Sequence, residues 1–109
     1  MLSYFVRYRG RAANPADFAR YYEASHAPIL RRFPGIRSLV LHQPAAWNDP
    51  FPVRDDGTQL LAQMTFDSSA DLDFALKSEA RRLARADFAH FPPFDGEVTH
   101  QAMAGKVIF

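Results

Sequence analysis

A chain of 109 residues is long enough for one domain, 1–109, and too short for two. A formal net charge of +1 argues against a nucleic-acid binder, and the lack of cysteine excludes disulfides, Cys-based metal sites and thiol nucleophiles. Ten Phe, four Tyr and one Trp are many for this length and point to a voluminous core, an apolar pocket or an interface.

The N-terminal stretch carries Arg7, Arg9, Arg11 and Asp17 without a continuous apolar core, unlike a signal peptide. No run approaches the ~20 apolar residues of a membrane span. The chain is therefore expected to be cytoplasmic, with no membrane partner.

Residues 2–8 alternate, with Leu2, Tyr4, Val6 and Tyr8 on one side and Ser3, Phe5 and Arg7 on the other. This predicts a first strand with both faces partly apolar. Asn14-Pro15 is a helix start: Asn at the N-cap, Pro in the first turn, and Asp17 favourably placed near the positive end of the dipole. The helix should run over 15–27. At about 100° per residue, Phe18, Tyr22, His26, Ile29 and Phe33 share a sector of roughly 80°. Pro28 lacks an N–H and would clash with the carbonyl of Ala24, which predicts a break there and a second short turn beyond it. Pro34-Gly35 ends the helical region.

A second strand is predicted over 36–43, with Ile36, Ser38, Val40 and His42 on one face and Arg37, Leu39, Leu41 and Gln43 on the other. Residues 44–57 form a long loop made unusually apolar by Trp47, Phe51 and Val53, and loops of this length are often functional. The third strand is Thr58–Phe66, with Leu60, Ala62, Met64 and Phe66 on one face and Gln63 and Thr65 on the other. A second helical region is predicted over 70–90, with a candidate break near Ser78 and a stripe of Leu72, Leu76, Ala80 and Leu83 that Asp87 continues if the helix is unbroken. Pro92-Pro93 stops it, residues 96–103 form a fourth strand, and 105–109 are a short apolar end.

The order βαββαβ is the ferredoxin-like, α+β arrangement: a four-stranded antiparallel sheet with helices on one face. On this reading Phe5, Leu39, Leu41 and Leu61 occupy the face opposite Tyr4, Val40 and Met64. A bare second face of that kind is a large exposed apolar patch, and a homodimer with the sheets face to face would cover it.

His26 is the first candidate for chemistry. An imidazole against an apolar wall loses its charge easily, which leaves a neutral base near pH 7 that could take a proton from carbon beside a carbonyl. The plainer reading is a core histidine bridging a backbone carbonyl freed by Pro28 and a tyrosine hydroxyl. Tyr22 on the same helix face and Tyr4 on a facing strand could bond the imidazole or a substrate oxygen, or simply fill the core. His42 and Gln63 are polar residues on the central strands and are expected on opposite faces; Gln63 could orient a carbonyl ligand. Asp87 and His90, spaced i, i+3, could form a carboxylate–imidazole pair, or Asp87 could bridge to Arg81, Arg82 or Arg85. Those arginines with Lys77 read as a solvated helix face. Trp47, Phe91 and Phe94 could exclude water from a small apolar organic ligand. The four histidines, at 26, 42, 90 and 100, are scattered over four elements without ligand spacing, so no metal is expected. No phosphate loop, dinucleotide fingerprint or G-x-S-x-G motif is present, and no such cofactor is expected.

Asp17-Phe18 through Tyr21-Tyr22, His26-Ala27-Pro28 and Pro34-Gly35 resemble the EthD-like family of the dimeric α/β-barrel superfamily. Met64 through Ser68, Ser78-Glu79-Ala80, Asp87-Phe88 and Phe91 extend the resemblance over nearly the whole chain. It implies a ferredoxin-like protomer that dimerises through its sheet into an α/β barrel, with a pocket between sheet and helices. It places the family's recurrent histidine on His26 and its second-helix aspartate on Asp87. Family roles include accessory proteins of ethyl tert-butyl ether degradation and cofactor-free lactone isomerases of aromatic catabolism, many with a pocket cysteine that this chain lacks. Two functions follow as expectations. One is a cofactor-free isomerase or lyase-type enzyme using His26 on a small apolar carbonyl or lactone compound. The other is a non-catalytic ligand-binding protein of ether or aromatic-compound degradation.

Overall fold

The computed structural model describes all residues, 1–109. Strand β1 (Leu2–Ala12) leads into α1 (Pro15–Tyr21), a π-helical turn (Tyr22–His26) and the short α2 (Ala27–Leu30). Strands β2 (Ser38–His42) and β3 (Thr58–Phe66) follow, then α3 (Ser69–Leu76), α4 (Glu79–Asp87), a 3₁₀ turn (Phe88–His90) and β4 (Phe94–Ala104). All neighbouring strands pair antiparallel in the order β2-β3-β1-β4, which is the expected ferredoxin-like α+β fold. No helix is long and apolar enough to cross a membrane.

Strict alternation sets the core. Leu2, Tyr4, Val6 and Tyr8 on β1 lie beside Leu60, Ala62, Met64 and Phe66 on β3, all buried under the helices. From above, Phe18, Tyr22, Leu30 and Phe33 of the first helical region and Leu72, Ala75, Ala80 and Ala84 of the second complete it. The second helical region breaks where Ser78 stands. Its hydroxyl donates to the Ala75 carbonyl (2.6 Å) and accepts from the Arg81 N–H (3.2 Å), so it closes one helix and caps the next. The break shifts the helical phase, and Ala84 rather than Leu83 becomes the buried residue of α4.

Two expectations need correction. Pro28 does not interrupt the helical path. The Ala27 N–H bonds back to the Tyr22 carbonyl, five residues earlier, and backbone angles stay helical across the junction. The widened turn takes up the misfit between the proline ring and the preceding carbonyls. The second correction concerns β2, which starts at Ser38 and presents the opposite faces. Leu39 pairs with Met64 and Leu41 with Ala62, on the helix-covered side, whereas Val40 pairs with Gln63 on the bare side. Both phases of this short strand are half apolar, so its pairing with β3 decides the phase, and a one-residue change inverts every side chain.

The bare face remains partly apolar. Phe5 and Leu61 are half-buried there, Val40 is 44% and Met103 56% exposed, and Arg7, Gln63 and Thr65 lie between them.

Candidate active site

The π-turn ends on His26 and turns its ring in between the sheet and α4. Nδ1 lies 2.9 Å from Oδ2 of Asp87, the last residue of α4. The other carboxylate oxygen, Oδ1, accepts the Tyr21 hydroxyl at 2.7 Å. The two side chains of the pair are 3% and 12% exposed, so the contact is shielded from water. Three rings close around the imidazole: Phe88 stacked at 5.6 Å and 22°, and Tyr22 and Phe91 edge-on, each at 4.8 Å.

Burial pulls the His26 pKa below its usual 6.5, and Asp87 opposes that pull only in part, so the ring is neutral at pH 7. The Asp87 carboxylate accepts the Nδ1 proton, which leaves the lone pair on Nε2. Nε2 makes no hydrogen bond to the protein. The ring thus bonds neither a backbone carbonyl nor a tyrosine hydroxyl; its partner is a carboxylate. Tyr21 is pushed up to about 12, by burial first and then by Asp87.

His26 lines a narrow cavity of about 20 Å³, room for about one water. Tyr4, Val6, Tyr8 and Met64 form its floor on the sheet. Tyr22, Leu30 and Phe33 form one wall, and Arg81, Ala84, Arg85 and Phe88 the outer wall. His100 enters from β4, its Nδ1 2.7 Å from the Tyr4 hydroxyl. The Tyr8 hydroxyl is fully buried and makes no hydrogen bond of normal geometry, although the Tyr22 phenol is a near neighbour. Burial raises both phenols well above their ordinary range. An unpartnered buried hydroxyl is costly, and the cavity is where a water or a ligand atom can reach it.

The structure brings together His26, Asp87, Tyr22 and Tyr4. Phe91 packs on the His26 ring from outside, beside a shallow apolar groove shared with Tyr8, Phe88 and Phe94. His42, Gln63 and Trp47 lie elsewhere. His42 Nε2 meets Gln63 Oε1 at 3.1 Å on the bare sheet face, so these two share a face rather than opposing one another, a consequence of the β2 phase. Gln63 also donates to Ser3 (3.2 Å). Trp47, 58% exposed, borders an open depression on that same side with Arg7, His42 and Gly57. Asp87 turns to His26 and Tyr21 rather than to His90, which makes no side-chain hydrogen bond, and it forms no ion pair with Arg81, Arg82 or Arg85. No three His, Asp or Glu side chains cluster to hold a metal.

Sequence reading missed Tyr8, Tyr21 and His100 as site residues. Tyr8 was within reach, because it continues the alternation of Tyr4 and Val6. His100 was not, because its place depends on the pairing of Val6 with His100 between β1 and β4.

A ferredoxin-like sheet with a buried histidine–aspartate pair over a sheet-floored cavity defines a small α+β domain with a polar site beneath its helices. A family model for the EthD domain matches residues 11–95, and the chain belongs to the EthD family. It is 29% identical over 79 residues to an uncharacterized 11.0 kDa protein in the thcB–thcC intergenic region of Rhodococcus erythropolis, covering 72% of this chain and 73% of that protein. Among solved structures, an ethyl tert-butyl ether D (EthD) family protein from Bacillus halodurans superposes with a TM-score of 0.74 at 18% identity, over 97% of this chain and 100% of that one. SnoaB from Streptomyces nogalater, a cofactor-independent oxygenase, does so at 0.65 and 15% identity, over 97% and 93%. At these identities the structural likenesses establish the fold.

Proposed function

We propose that this EthD-family chain serves small-molecule catabolism as a cofactor-free acid–base enzyme, with His26 moving a proton on a small apolar carbonyl or lactone compound. The observation that carries this reading is the His26–Asp87 contact. It leaves Nε2 unbonded in a cavity that the Tyr8 side chain also lines, which supports a neutral base there. A relative of the same fold described as a cofactor-independent oxygenase supports chemistry without a bound cofactor on this scaffold.

The step follows from these positions. Nε2 takes a proton from carbon next to the carbonyl; the C–H electron pair becomes the C=C bond and the carbonyl π pair moves onto oxygen. The Tyr8 hydroxyl donates to the resulting enolate oxygen, in a site where low polarity strengthens that bond. The proton then returns from Nε2 to a different carbon; or the carbonyl re-forms, a β substituent departs with its own bonding pair, and it takes the proton from Nε2. Tyr4, braced by His100, and Tyr22 position the compound, and Phe91 and Phe88 keep water from the ring. A ligand of ring size enters by displacing the Arg81, Arg85 and Phe88 side chains of the outer wall, because the closed cavity is too narrow for it. His42, Gln63 and Trp47 would reach a ligand only through the second subunit of a homodimer that packs the bare sheet faces together in the cytoplasm.

The test is incubation with a panel of small ketones and lactones, followed by product analysis. Turnover by the wild type that His26→Ala abolishes supports the enzyme. Binding without any product over long incubation supports the accessory, ligand-holding reading instead.

A further inference from the structure

The outer wall of the cavity carries two guanidinium groups that the protein itself leaves without a partner. Arg81 and Arg85 are one helical turn apart on α4 and share the face that looks onto the cavity with Ala84 and Phe88. Neither forms an ion pair or a side-chain hydrogen bond. Their neighbour Arg82, by contrast, is paired with Glu79. The nearby carboxylate, Asp87, has both oxygens occupied by His26 and Tyr21. Two like charges at i, i+4 repel and weaken a helix, so helix stability alone does not account for them.

Their field reaches inside. Both arginines, after burial itself, hold His100 below its usual value, so this histidine adds no charge at pH 7. Arg85 also rests over the Phe88 ring at 5.5 Å, where the aromatic face holds the side chain beside the opening. By contrast, Val6 and Met64 of the floor and Leu30 and Phe33 of the wall are apolar, and the buried Tyr8 hydroxyl belongs to the same lining.

Resting on the site reading above, we infer that the substrate is an organic anion: an apolar body carrying a carbonyl toward Tyr8 and His26, and a carboxylate that Arg81 and Arg85 receive at the mouth. Guanidinium binds carboxylate through paired, charge-assisted hydrogen bonds, and Arg81 and Arg85 stand together at the mouth. The pair thereby sets specificity for acids over their neutral analogues, and it orients the ligand with its carbonyl inward.

The experiment uses 4-oxo-4-phenylbutanoate and its neutral methyl ester as probes, with affinities measured by ligand-detected NMR on the full chain. The wild type should bind the acid at least tenfold more tightly than the ester, with the preference shrinking as salt is raised. Arg81→Gln with Arg85→Gln should erase the preference and leave ester affinity in place; Arg85→Lys, which keeps the charge, should retain part of it. Equal binding of the two probes by the wild type, or a preference that survives the double substitution, overturns the inference. Binding of neither probe overturns it as well, together with the cavity as a ligand site. Acid-selective binding in a protein whose His26→Ala variant loses no activity would leave this inference standing and remove only the acid–base role.

Discussion

The Asp87 carboxylate holds the His26 ring through Nδ1 at 2.9 Å, across 61 residues of sequence. One helix end is thereby fastened to the π-turn of the other, and the imidazole is fixed in a single tautomer. The site's chemistry and part of its rigidity come from the same contact, so a substitution there should lower both.

Asp87→Asn keeps the shape but replaces an acceptor of two hydrogen bonds by an amide that can accept at one end only. The fold should survive with a loss of about 1–3 kcal/mol, measured by denaturant unfolding. Proton-transfer activity should fall about 10- to 100-fold, as for other partners that orient a catalytic imidazole. Activity equal to the wild type would show that the ring needs no orienting carboxylate.

The Tyr8→Phe variant separates function from stability in the opposite sense. Its hydroxyl is buried without a partner, so removing it should leave the unfolding free energy unchanged or raise it by up to about 1 kcal/mol. Enolate stabilisation should be lost, and activity should drop. A destabilised Tyr8→Phe would mean that the hydroxyl is bonded in solution.

His26 has a folded-state pKa below its unfolded value of 6.5, so the unfolded chain binds the extra proton first as pH falls. Stability should therefore decline as pH drops below about 6.5 and level off below the depressed folded value. His100, lowered in the same direction, adds to this slope. His26→Gln should flatten the dependence in part, read as denaturation midpoints between pH 7 and 5. An NMR titration placing His26 above 6.5 would contradict the assignment.

The bare sheet face gives a prediction about assembly. Val40 and Leu61 sit on it among half-buried neighbours, and two such faces pressed together would remove this apolar surface from water. Light scattering should find a dimer, and Leu61→Lys, which would set like charges against one another across the two-fold, should give monomer. A wild-type monomer at working concentration would remove the proposed barrel.

The strands show how much of this was legible from residue order. β1 and β3 alternate strictly, with Leu60, Ala62, Met64 and Phe66 all on one face, and their phases were readable directly. β2 is five residues long with apolar side chains in both phases, so its orientation belongs to its partner rather than to itself. His42 and Gln63 came out on one face for that reason. In the helices, the stripe reaches Asp87 only if the helix is unbroken, and the break at Ser78 shifts the phase, so periodicity did not show that Asp87 would meet His26 rather than His90. That meeting depends on the π-turn, a response to Pro28 that periodicity alone reads as a break. Arg81 and Arg85 read as solvated helix because their exposure at a cavity mouth is visible only once α4 is laid against the sheet.

Deuterium exchange is the most direct test of His26 as the proton-transfer group. With an enolisable ketone or lactone ligand in D2O near pH 7.5, the wild type should wash deuterium into the position beside the carbonyl, followed by NMR. His26→Gln should slow that exchange at least about a hundredfold while still binding the ligand. Exchange at the wild-type rate in a folded, ligand-binding His26→Gln protein would contradict the account.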